Sequence, residues 1–170
     1  MVRAKRPYYH FTIIRLICKP DVNVLPLGDF IDTHAIERDC EQLILRAAHL
    51  ADEGQWEELA ELFVQDGELV RPSNAGTSIR GREAILASIR TGHGGKSRRV
   101  ITNVIVKIVS AKEAHVSSIV TRYSGAADSG TGEGISIGHF SDEIVLTEPG
   151  HLAFRRREGS MALEFNFRPK

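Results

Sequence analysis

The feature that most constrains this chain is a change of hydrophobic period near Arg98: apolar residues recur at helical spacing before it and alternate after it. Asp32 or Thr33 can cap a helix, and from there Ile36, Cys40, Leu43, Ile44, Ala47 and Ala51 form one apolar stripe with charges opposite. Gly54 is placed to end that helix. A short second helix turns Trp56, Leu59, Ala60 and Phe63 inward, and Asp66-Gly67 is expected to break it. Glu68 to Arg71 reads as a short strand before Pro72, and Ser73 to Ser78 as loop. Gly81 to Arg90, carrying Ile85, Leu86 and Ile89, gives a third helix, closed by Gly92, Gly94 and Gly95.

The second half reads as sheet. Val100 to Val109 and Val116 to Tyr123 are rich in β-branched residues. Gly134 to Leu146 alternates, with Ile135, Ile137 and His139 on one side and Phe140, Asp142 and Ile144 on the other. His151 to Arg157 and Ala162 to Phe167 are two further strand candidates. Three helices followed by a four- or five-strand meander predict an α+β fold rather than a doubly wound sheet. The glycines at 92 to 95 follow a helix and precede a strand, the reverse of a dinucleotide-binding turn. At 170 residues there is room for one domain with its own core. Residues 1–32 hold three of the six prolines and no helical period, so they read as an N-terminal arm or extension, or as lying upstream of the true start.

Charge narrows the partners. Lys plus Arg and Asp plus Glu both number 22, so the chain lacks the basic excess of a phosphate-backbone binder, and no nucleic acid is expected. No apolar run approaches the roughly 20 residues that a membrane helix needs, and Phe11 to Cys18 is interrupted by Arg15. Cys18 and Cys40 are too few for a disulfide framework or a zinc site, which suggests two reduced thiols in a cytoplasmic protein. The histidines show no HxxxH or HxH pairing, so no metal site is expected.

Several short stretches resemble the SnoaL-like, nuclear transport factor 2-like superfamily, in order and at its spacing, over residues 34 to about 160. They are Asp52-Glu53-Gly54-Gln55-Trp56, Leu62-Phe63-Val64-Gln65-Asp66-Gly67, Gly81-Arg82-Glu83-Ala84-Ile85, Arg98-Arg99-Val100-Ile101-Thr102-Asn103 and Gly138-His139-Phe140-Ser141-Asp142. The resemblance implies a cone-shaped, strongly curved mixed or antiparallel sheet packed against three N-terminal helices, enclosing one pocket. It places the domain at 33–160 and leaves 161–170 as a C-terminal strand or tail. The superfamily holds dehydratases, a dehydrochlorinase, polyketide cyclases and the small subunits of ring-hydroxylating dioxygenases, so the fold alone does not name a reaction.

The resemblance also supplies candidate residues. Asp52 falls where dehydratase and dehydrochlorinase relatives carry an Asp that orients a catalytic His, and partial burial there would suit it to base work; by itself it reads first as an exposed helix-end carboxylate or a cap for the next helix. Arg99 stands at the strand position of that His, and an arginine cannot act as a general base. It can pair with Asp52, bind a carboxylate or stabilise an oxyanion. His139 is then the expected auxiliary acid or base, provided its strand turns it inward, and His49 lies one turn from Asp52. Arg157 aligns with an arginine that dehydrochlorinase-type relatives direct into the site. Tyr123, Asn103 and Trp56 complete the expected substrate contacts. At Arg122-Tyr123-Ser124 the Arg-x-Asp of limonene epoxide hydrolase relatives is incomplete.

Together these imply a pocket protein for a small hydrophobic or carboxylated organic molecule, working without a cofactor. As an enzyme it would be a lyase or isomerase of dehydratase or cyclase type. The alternative is a non-catalytic ligand-binding or assembly subunit like the small subunit of ring-hydroxylating dioxygenases. A sheet with an apolar outer face needs cover, so a homodimer is expected, or a trimer or hetero-oligomer if the chain is dioxygenase-subunit-like.

Overall fold

The computed structural model describes residues 33–74, 76–91, 96–125, 132–147 and 150–167; the expected arm, Cys18 and the glycine-rich stop at 92–95 lie outside the described residues. In chain order the elements are α1 (Thr33–Glu53), α2 (Trp56–Glu61), β1 (Phe63–Val70), a 3-10 turn (Pro72–Asn74), β2 (Ser78–Arg80), α3 (Arg82–Thr91), β3 (Lys96–Ser110), β4 (Glu113–Gly125), β5 (Gly132–Leu146) and β6 (Leu152–Asn166).

The apolar stripe of α1 buries Cys40, Leu43, Ile44, Ala47 and Leu50, as its spacing requires. Gly54 ends the helix at φ 71°, and the Gln55 amide donates to the Leu50 carbonyl at 2.9 Å. That six-residue closure is the Schellman arrangement, which a left-handed glycine makes easy. Cys40 is fully buried, and burial pushes its thiol up to about 11, so it serves as packing rather than as a nucleophile.

The strands form one open six-stranded sheet in the order β2-β1-β6-β5-β4-β3. Neighbours are antiparallel except β1 and β6, which run parallel. The fold is therefore α+β, with the three helices packed on one face of a mixed sheet. Ile85 and Ile89 of α3 join the α1 stripe over Val116, Ile144 and Phe154 from the sheet. The Phe63 and Phe154 rings meet at 5.2 Å, tilted 46°, where the first and last strands come together.

Two expectations change. Asp66-Gly67 does not stop a helix: it lies inside β1, which already begins at Phe63, and the pairing with β6 is irregular between Phe63 and Glu68. The chain absorbs the turn-forming pair as a distortion of the strand. The two expected C-terminal strands are one, because β6 runs unbroken through Gly159-Ser160 beside the equally long β5. The boundary expected at residue 160 therefore falls within a strand. Gly159 is needed there for close approach, since a Cβ would lie 2.5 Å from Pro72 Cγ. Among the described residues no helix is long and apolar enough to cross a membrane.

Candidate functional site

A cavity of about 210 Å³ lies between the helices and the inner face of the sheet. Ala47 and Ala51 of α1, Phe63 and Leu69 of β1, Val120 of β4 and Met161 of β6 supply apolar wall. Four arginines also reach it, Arg71, Arg99, Arg122 and Arg157. An apolar cleft with a few convergent polar groups is the usual form of a small-molecule site.

The Gly54 stop sets Asp52 in the last turn of α1, against β3. Its Oδ2 accepts from the Arg99 amide at 2.8 Å, and its Oδ1 accepts from the Arg99 guanidinium. These side chains are 8% and 14% exposed for Asp52 and Arg99, so the pair is nearly dry. Arg98, next along β3, donates to the Asp52 carbonyl at 3.0 Å and pairs with Glu53 at 3.1 Å, placing positive charge at the C-terminal end of the α1 dipole. Burial draws Arg99 below the ordinary arginine range; Asp52 opposes this, while Arg122 and Arg157 add to it by repulsion. It stays protonated at any working pH.

Arg122 is the direct cross-strand partner of Arg99, with Ser136 beyond it on β5. Its Nε is buried with no hydrogen-bond partner. Arg71, just after β1, donates to the Ser88 carbonyl on α3 at 2.9 Å. Among the described residues, only Arg99 and Arg157 of the four have a carboxylate within 4.0 Å.

Arg157 and Asp142 face each other across β6 and β5. The Arg157 guanidinium carbon lies 4.1 Å from the Phe140 ring centre and 4.7 Å from that of Phe154, a stacked and largely dehydrated position. Its Nε is 3.4 Å from Asp142 Oδ1, close enough for an ion pair, but both carboxylate oxygens lack hydrogen bonds. Burial pushes the Asp142 carboxyl up to about 6, with Arg157 pulling the other way. Burial likewise draws Arg157 down, with Asp142 opposing. The Ser118 hydroxyl is buried and unpartnered on the neighbouring strand.

Of the expected site residues, Arg99 and Arg157 line the cavity and Asp52 is paired to Arg99; the others do not line it. His139 is exposed between Gly138 and Phe140, which both line the cavity, so strand alternation turns it to the outer face. Tyr123 is exposed on that same face, beside the inward Arg122. Asn103 is exposed at an irregularity of β3, where its φ of 51° marks a left-handed kink that asparagine tolerates. Trp56 packs half-buried against the core, under Gly54, and does not line the cavity. His49 is exposed on α1. The residues that sequence reasoning missed as site members are Arg71, Arg122 and Asp142. Arg122 was met as the arginine of an incomplete Arg-x-Asp set and Asp142 as the end of a family-like stretch, but the inner side of their strands was unknown.

Comparison with known proteins agrees with this architecture. The sequence profile of the SnoaL-like domain matches residues 32–158. No curated protein is significantly similar to the chain. Among solved structures, a Novosphingobium aromaticivorans DSM 12444 protein provisionally assigned as a scytalone dehydratase is 26% identical at a TM-score of 0.70, over 82% of this chain and 93% of that one. A hexachlorocyclohexane dehydrochlorinase is 16% identical at a TM-score of 0.69, over 81% and 92%. ActVI-ORFA of Streptomyces coelicolor is 17% identical at a TM-score of 0.65, over 74% and 97%. The last two likenesses speak to fold alone. With the profile spanning most of the chain and the helix-covered sheet in place, the chain belongs to the SnoaL-like domain family.

Proposed function

We propose that the cavity binds a small organic molecule and converts it without a cofactor, as a lyase or isomerase of dehydratase or cyclase type. The observation that carries this reading is the nearly dry Asp52–Arg99 pair, whose arginine lines the cavity. In it Asp52 takes a proton from the carbon beside a carbonyl, and the electron pair moves towards the carbonyl oxygen. Arg99 turns to that oxygen and stabilises its charge. Collapse of the enolate then expels a hydroxyl on the next carbon, which leaves as water with the proton held by Asp52. Arg157 stabilises charge at the other side of the cavity.

The test is solvent-deuterium exchange into a panel of β-hydroxy ketones, read by mass spectrometry. The wild-type protein is expected to exchange or dehydrate at least one member, and Asp52→Asn to slow this by about a hundredfold or more. Unchanged exchange in Asp52→Asn removes Asp52 as the base.

A second reading, a non-catalytic binding or assembly subunit, is favoured by one observation. Among the described residues no histidine lines the cavity, and Asp52 and Asp142 both stand against arginines. A wild-type protein that binds small molecules yet exchanges no member of the panel supports it.

A further inference from the structure

We infer that the cavity is built to hold the carboxylate of an organic acid between Arg122 and Arg99, with the acid's carbon skeleton against Phe63, Leu69 and Met161. This rests on the proposed reading of the cavity as the ligand site and adds what the ligand must carry.

Arg99 and Arg122 sit directly opposite each other on neighbouring strands, and both reach the cavity. Like charges in opposed positions of an antiparallel pair repel, and a dry setting deepens the penalty. Asp52 engages Arg99 through two hydrogen bonds, and Asp142 stands against Arg157. Among the described residues Arg122 has no such carboxylate, although its Nε is hidden from solvent. Among the described residues, four guanidiniums reach the cavity and two carboxylates stand against them. An anion seated between the opposed arginines relieves both the repulsion and the missing hydrogen bond. A planar guanidinium fork matches a carboxylate through two parallel bonds. The cavity equals about seven waters at roughly 30 Å³ each, and its remaining walls are mainly apolar, which suits a short organic acid.

The test compares benzoate with its neutral counterpart benzamide by calorimetry at low salt, on the wild-type chain and on Arg122→Met. Benzoate is expected to bind at least about tenfold more tightly than benzamide. Arg122→Met is expected to erase that preference and to raise the melting temperature, because the charge opposed to Arg99 has gone. Should Arg122→Met not fold, Arg122→Lys keeps the charge but loses the fork, and the preference is expected to shrink. Equal affinity for both probes in the wild type, or a preference undiminished in either variant, overturns the inference while leaving the cavity as a ligand site. Failure of both probes to bind the wild-type chain overturns the inference and the ligand-site reading together.

Discussion

Asp142 stands on the inner face of β5 with 1% of its surface exposed and no hydrogen bond to either oxygen. Burial moves its carboxyl from the ordinary 3.8 up to about 6. Between those values the folded chain keeps a proton that the unfolded chain has released. The group's contribution to stability is thus full below about pH 4 and is lost as pH rises through about 6. A shift of about two units corresponds to at most about 3 kcal/mol. Urea unfolding of the wild type and Asp142→Asn from pH 4 to 7 measures it, since the pH response of other carboxylates cancels in the difference. The wild type is expected to lose about 1–3 kcal/mol relative to the variant over that range; a constant difference contradicts the assignment. Individual site residues were only partly legible in sequence. Asp52, Arg99 and Arg157 were reached through resemblance; Arg99 and Arg157 line the cavity, and Asp52 is paired to Arg99. Alternation along β5 separated His139 from Asp142 correctly, but Ile135 and Ile137 made His139's side look as apolar as the inner one. Nothing in the strand's own sequence says which side the helices cover.

The helices were legible because their apolar stripes meet a sheet only one way, and the Gly54 stop followed from glycine's freedom at positive φ. The long strands were legible from β-branched alternation. What failed was punctuation: Asp66-Gly67 and Gly159-Ser160 carry turn chemistry, yet both lie inside strands where tertiary pairing overrides it. The sheet also carries a feature without cover. Tyr123, Ile135 and Phe165 form one row across the outer face of β4, β5 and β6, with Ile137 and Leu163 beside it. Tyr123, Leu163 and Phe165 are each about half exposed or more. Such a patch is best buried by a second copy of the same face, and a homodimer is therefore expected. Light scattering behind size exclusion checks this; a particle of 18.8 kDa contradicts it, and Phe165→Glu is expected to shift a dimer towards that mass.

At the scale of the whole molecule, fold and chemistry diverge. The α+β architecture, with helices closing one face of a mixed sheet, follows from the order of the periods in the sequence and is shared with structures as little as 16% identical. The cavity follows from that architecture, because the curved inner face and the helices leave space that their side chains do not fill. Its electrostatics belong to this chain: Arg99 faces Arg122, Asp52 holds Arg99, and Asp142 lies buried beneath Arg157. The measurement that bears most directly on the site is a crystal structure of the protein grown with excess benzoate. The expected result is electron density between α1 and the inner face of the sheet, the carboxylate within hydrogen-bond distance of Arg99 and Arg122 and the ring against Phe63, Leu69 and Met161. Benzoate found only on the outer face of the sheet, with the cavity filled by water alone, would contradict it.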